Sequence, residues 1–217
     1  MQLDYPFSRG GIAVKNWRFT IAIITLFIFI GLLLSYEKSP IIWLDNTMSE
    51  LLGGNSFIIA FHYIGNTSTI IIVAIFMLIF LWLRQRNYLG MAFVLLTVAA
   101  GKVLNQLIKN WIDRPRPEIL DQLTTFSFPS GHAMLSLLYL FTIAYLLSEI
   151  LSNKKKVIII WILAIVLSFF IGLSRIAESR HYASDVIAGW CLGYSWFVFC
   201  AAWYEWKKRK HLNGKFK

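Results

Sequence analysis

At 217 residues, with 58% hydrophobic and only 15% charged side chains and a mean hydropathy of +0.62, the chain is too apolar for a soluble domain of its length. Its apolar residues fall in blocks long enough to cross a bilayer, which takes roughly 20 residues per helix, so it reads as an integral membrane protein. The net charge of +10 calls for no nucleic-acid partner, because topology and contact with anionic headgroups account for it.

A polar leader carrying Arg9, Lys15 and Arg18 precedes the first apolar block, at about 19–35. That block exceeds a signal-peptide core and no small-residue cleavage site follows it, so it reads as a retained span. After a break at 36–40, Ile41, Leu44, Met48, Leu51 and Leu52 recur at helical spacing around Asp45 and Glu50 until Gly53-Gly54. This predicts a short amphipathic helix over about 41–53, lying in the interface. The second span is expected at about 66–83, after the interruption Gly65-Asn66-Thr67-Ser68-Thr69. His62 precedes that break and reads as a local hydrogen-bonding residue outside any site. Further spans are expected at about 88–108, 132–151, 157–174 and 185–203. Cys191 and Cys200, nine apart in the last block, read as small buried side chains. The fold class is therefore all-α: one polytopic domain over 1–217 with six transmembrane helices and one interfacial helix.

Six spans put both termini on one side, and the leader, the turn at 84–87, the run Lys154-Lys155-Lys156 and the tail from Lys207 hold 14 of the 21 lysines and arginines. The positive-inside rule makes that side cytoplasmic. Three stretches of unusual polarity then share the opposite, extracytoplasmic side: 109–117, 129–132 and 174–185.

The first, Lys-Asn-Trp-Ile-Asp-Arg-Pro-Arg-Pro, brings cations on a segment that its prolines keep extended. Lys109 and Arg116 suit contact with phosphate oxygens, as does Arg175 in the third stretch. The second, Pro129-Ser130-Gly131-His132, has the composition of a helix start, where backbone N–H groups and the helix dipole favour an anion. The third reads Ser-Arg-Ile-Ala-Glu-Ser-Arg-His-Tyr-Ala-Ser-Asp. It places Ser174 and Arg175 at the end of span five, His181 in the connection or first turn, and Asp185 at the start of span six. The carboxylate can hold one ring nitrogen and leave the other free.

These groups describe a site for a phosphate ester, with no cysteine in the motifs and a carboxylate better used on the histidine than on a metal. His181 would attack phosphorus and form a phosphohistidine, with Asp185 fixing its tautomer. His132 would protonate the leaving oxygen and later assist a water. Lys109, Arg116, Ser130, Gly131, Ser174 and Arg175 would bind the phosphoryl group. Lys102, seven residues before Lys109, is expected along the lower wall of the substrate cleft, since a lysine within a span is costly and faces a polar cavity or snorkels. Arg114 and Arg180 are expected at the cleft, where they could contact a second phosphate while Glu118, Asp121 and Glu178 nearby could oppose it, so monophosphate and pyrophosphate both stay open.

Lysine, six residues, Arg-Pro; Pro-Ser-Gly-His; and Ser-Arg, five residues, His, three residues, Asp: together these resemble the type-2 phosphatidic-acid phosphatase superfamily. Every motif position is matched, and the gap at 118–128 is at the short end for that family. The resemblance implies a metal-independent lipid phosphatase without a cofactor, with His181 as nucleophile, in the plasma (inner) membrane with its site facing outward. Soluble vanadium haloperoxidases share the motifs, but this chain is too apolar for that branch. The implied substrates are phosphatidylglycerol phosphate, phosphatidic acid and, as the alternative, undecaprenyl pyrophosphate. A phospholipid transporter or headgroup-binding scaffold is the competing class, and it has no use for a His/Asp pair.

Overall fold

The computed structural model describes residues 12–118 and 125–214, and the regular structure within them is helical. Arg9, Lys215 and Lys217, counted above for topology, and Asp121 lie outside the described residues, as do the side chains of Lys15 and Arg84. The helices are α1 (Ile12–Leu33), α2 (Ser39–Leu52), α3 (Ser56–Ile59), α4 (Thr67–Gln85), α5 (Tyr88–Val94), α6 (Gly101–Ile112), α7 (Gly131–Ile150), α8 (Lys154–Ala177) and α9 (Ala183–Gly214). A 3₁₀ stretch, Ala60–Gly65, joins α3 to α4, and a π-helical stretch, Leu95–Ala100, joins α5 to α6.

Their limits follow from local chemistry. Asn87 and Asn153 cap α5 and α8 by accepting backbone N–H groups at Gly90 and at Lys155 and Lys156. Helix α2 carries a proline in its first turn and ends at Gly53-Gly54, where Gly54 takes a φ of +73° that suits glycine. Helix α4 ends at Arg86 with left-handed backbone.

Helix α7 is the axis of the bundle. Thirteen of its 20 residues are buried, so neighbours surround it. Helices α8 and α9 pack along it, and α1 packs on α9. Trp161 donates to Ser148 Oγ from α8 to α7, and Trp190 donates to the Ser168 carbonyl from α9 to α8. The α1–α9 contact includes Arg18, which forks onto Glu205 at 2.6 and 2.7 Å. By contrast, the outer face of α8 exposes Ile158, Ile162, Ile165 and Phe169. Exposed apolar columns on long helices suit lipid rather than water.

Four helical segments, Tyr88–Ile112, Gly131–Ile150, Lys154–Ala177 and Ala183–His211, are long and apolar enough to cross a membrane. The pair Ser56–Gly65 and Thr67–Leu83, bent by 45°, makes a fifth if it is one span. The first expected span appears as the shorter apolar helix Trp17–Leu33. The chain is thus a multi-pass helical membrane protein. The expected boundaries shift in several places: α1 begins at Ile12, α6 runs to Ile112 and α8 spans Lys154–Ala177. The segment at 56–65, ahead of the expected second span, is also helical, and the last helix runs through the basic tail as far as Gly214.

Helix α2 covers one end of the bundle, against α8 and α9. Its Leu44, Met48 and Leu52 pack on Ala133, Ile176, Ala183 and Val186, while Ile42, Trp43 and Leu51 are exposed. Asp45 does not follow the amphipathic pattern: it is only 2% exposed and points inward.

Candidate active site

The three polar stretches meet at the end of the bundle beneath α2. Their meeting depends on a close crossing of α7 and α9. A β-carbon on Gly189 would lie 2.6 Å from the Ser130 carbonyl oxygen and 3.1 Å from the Ala133 β-carbon. Because glycine sits there, the Ser130 N–H reaches the Asp185 carbonyl at 2.9 Å, joining the second motif to the third. Ser130 caps α7, its hydroxyl 3.5 Å from the Ala133 nitrogen, and Gly131 opens the helix beside Asn105 and Lys109.

His181 lies just before α9 and is buried. Arg116 NH1 stands 3.2 Å from His181 Nε2. A guanidinium only donates, so Nε2 is the acceptor and the ring proton resides on Nδ1. Nδ1 faces Ser127 Oγ at 3.4 Å and Asp185 Oδ2 at 3.6 Å. The Ser127 hydroxyl donates to that same Oδ2 in a short hydrogen bond. The carboxylate therefore supports the ring chiefly through the serine in this geometry, since 3.6 Å exceeds a direct hydrogen bond. Asp185 Oδ2 also accepts the Tyr182 N–H at 2.9 Å, across the turn that starts α9. Burial pushes the His181 pKa down from 6.5 to about 3; the Asp185 carboxylate opposes this while Lys109 and Arg116 add to it. The imidazole is neutral at physiological pH.

The cations are held by carbonyls. Lys109, buried on α6, donates to the Phe126 and Ser127 carbonyls at 2.7 and 3.2 Å. Arg116 donates to the Thr125 carbonyl and to the Arg180 carbonyl, both at 2.7 Å. Burial, then repulsion from Arg175, lowers the Arg116 pKa to about 10, so it stays charged. Arg175 pairs with Glu178 at 2.6 Å through NH1, while its buried Nε finds no acceptor among the described residues. An anionic oxygen would satisfy such a donor. His132 Nε2 lies 3.4 Å from Asn66 Oδ1, so the segment before α4 orients the second histidine.

Not every expected group is placed as expected. The Ser174 hydroxyl is buried and bonds the Ile171 carbonyl at 2.7 Å, within its own helix. Arg114 is buried on two carboxylates instead of standing at an open cleft, because Asp45 and Asp185 take its donors. The Arg180 backbone, through its carbonyl, serves Arg116. Lys102 is exposed on α6, one turn below buried Asn105 and on the same side as Lys109.

Sequence reasoning assigned no site role to Ser127, Asp45 and Asn66, set His62 outside the site, and took Glu178 only as an acid opposing a second phosphate. His62 Nδ1 lies 2.7 Å from Glu178 Oε1, behind Arg175. Ser127 stands two residues before Pro129 and Glu178 lies inside the third stretch, which were usable signals; Asp45, Asn66 and His62 offered none. Among the described residues, no group of three or more His, Cys, Asp or Glu is arranged to hold a metal ion.

A neutral imidazole with a carboxylate behind it and guanidinium groups around it, carried on lipid-facing helices, suits phosphate-ester chemistry at a membrane. The PAP2 superfamily model matches residues 90–209, and the chain belongs to that superfamily. It is 31% identical to phosphatidylglycerophosphatase B of Bacillus subtilis (strain 168) over 174 residues, 77% of this chain and 78% of that one. A shorter match joins it to an undecaprenyl-diphosphatase of Sulfolobus acidocaldarius, 35% identical over 38% of this chain and 35% of that one. The fold is shared with the crystal structure of a transmembrane PAP2-type phosphatidylglycerolphosphate phosphatase from Bacillus subtilis. That likeness has a TM-score of 0.77 over 85% of this chain and 96% of that one, at 24% identity.

Proposed function

We propose that the protein hydrolyses a lipid phosphomonoester of the phosphatidylglycerol phosphate or phosphatidic acid type, without a metal or other cofactor, through a phosphohistidine on His181. The observation that carries this is the Arg116–His181 contact, which leaves an unprotonated Nε2 among cations. Nε2 attacks phosphorus as the bond to the lipid oxygen breaks, and His132 delivers a proton to that oxygen. His132 then takes a proton from a water, which attacks phosphorus, breaks the P–N bond and restores neutral His181. Lys109, Arg116 and Arg175, with the amide groups at Ser130 and Gly131, hold the phosphoryl oxygens while charge shifts among them.

The likeness to phosphatidylglycerophosphatase B over most of both chains supports a monoester, and so does the engagement of Arg114 by carboxylates, which removes one contact for a second phosphate. Lys102 lines the lower cleft, on the side of α6 that carries Lys109. Lys102→Met is expected to raise KM severalfold; unchanged KM and kcat in folded protein would end that role.

The topology proposed is six spans, with Trp17–Leu33 and the bent pair completing the four longer helices. Both termini are cytoplasmic and the site faces outward in the plasma membrane. The basic runs at Lys154–156 and from Lys207 lie at the ends of α8 and α9 remote from the site, which supports this orientation.

Phosphate release from phosphatidylglycerol phosphate, phosphatidic acid and undecaprenyl pyrophosphate, in detergent containing a chelator, tests the reading. Release from a monoester is expected to be fastest. Faster release from the pyrophosphate would select the alternative substrate, and no release from any would favour a headgroup-binding scaffold.

A further inference from the structure

Arg114 stands two residues before Arg116 yet serves different neighbours. Its NH1 donates to Asp185 Oδ1 at 2.7 Å and Ser184 Oγ at 2.8 Å, and its NH2 donates to Asp45 Oδ2 at 2.9 Å. The rings of Tyr36 and Tyr182 lie against it, 4.8 and 4.2 Å from the guanidinium carbon. Asp45 also accepts from the Ser184 N–H at 2.7 Å and the Ser184 hydroxyl at 2.8 Å. A carboxylate on α2 is thereby wired to the residue preceding Asp185, 139 positions further along the chain.

The arrangement fixes both direction and charge. Arg114 occupies Oδ1 of Asp185, so Oδ2 is the oxygen turned towards Ser127 and His181. One arginine between two carboxylates leaves this cluster with one negative charge in excess while His181 is neutral. Phosphorylating His181 makes it imidazolium-like, and the added positive charge balances that excess. Without the Asp45 charge, Arg114 would cancel Asp185. The new imidazolium would then face Lys109, Arg116 and the Arg175–Glu178 pair, with His132 nearby, and no net counter-charge behind it.

We propose that Asp45 and Arg114 are positioning residues for phosphoryl transfer, holding Asp185 in register and keeping a negative charge behind the nucleophile. This rests on the reading of His181 as nucleophile. Neither residue is offered as a contact to substrate, so their loss falls on the chemical step.

The test compares kcat and KM for phosphatidic acid in detergent micelles, with inorganic phosphate as inhibitor. Asp45→Asn is expected to lower kcat about tenfold or more while KM and the phosphate inhibition constant stay within about twofold. Asp45→Glu should recover part of the loss. In an Asp185→Asn background the further cost of Asp45→Asn should fall below about twofold, because both act on one device. An unchanged kcat in Asp45→Asn, or losses that multiply in the double variant, would overturn the proposal. If Asp45→Asn does not fold, Arg114→Lys makes the same test, since it keeps the charge but loses the fork and the ring stacking. A reduced kcat at constant KM is expected, and an unchanged kcat would overturn the role. His181→Ala, run alongside, separates the two readings. Activity surviving in that variant removes the nucleophile, whereas its loss beside a fully active Asp45→Asn removes only the positioning role.

Discussion

A guanidinium beside an imidazole nitrogen determines which nitrogen is free, and that is the residue-scale fact on which the mechanism turns. Arg116 reserves Nε2 of His181 as an acceptor, and Ser127 with Asp185 faces Nδ1. Keeping this histidine neutral has a cost at low pH. The unfolded chain binds its proton near pH 6.5, the folded chain only near 3. The unfolded state therefore binds more protons between those values, and stability present above pH 6.5 is lost as pH falls towards 3. The expected outcome is a falling thermal midpoint over that window. His181→Ala should flatten it by up to about 1.4 kcal/mol per pH unit. An identical slope in both proteins would show that His181 is not buried neutral.

At the scale of elements, the α7–α9 crossing is what brings separate motifs to one point. Gly189→Ala would drive a methyl group against the Ser130 carbonyl and the Ala133 side chain. Overpacking of this kind costs about 1–3 kcal/mol, and here it would also stretch the Ser130–Asp185 backbone bond. We expect a lower melting temperature together with a kcat reduced by about an order of magnitude, read by thermal unfolding and steady-state kinetics; full activity would show that the crossing has slack. Much at this scale was legible. Apolar block lengths marked the long helices, Gly53-Gly54 marked the end of α2, and the motif spacing put His181 before α9 with Asp185 in its first turn. The inward turn of Asp45 was not legible, because one acid on an amphipathic helix looks solvated until its partner, 69 residues away, is known. Asn66 and His62 were hidden for a related reason: the interruption before α4 looked like a plain break, whereas it folds against the second and third motifs.

At the scale of the whole molecule, charge placement and site position are two ends of one arrangement. The lysine runs occupy one end of the bundle, and α2 covers the other. Because Cys191 and Cys200 are buried, single cysteines can be introduced to test the orientation. Lys38→Cys, exposed near the site end, should react with a membrane-impermeant maleimide in intact cells. Ser152→Cys, exposed between α7 and α8, should react only after permeabilisation, and the reverse pattern would invert the topology.

The catalytic claim reduces to one comparison: phosphate release from a lipid phosphomonoester, in detergent with a chelator, by wild type and by His181→Ala of equal melting temperature. Wild type is expected to sustain release, and the variant to lose several orders of magnitude. Equal release by the two proteins would contradict the claim.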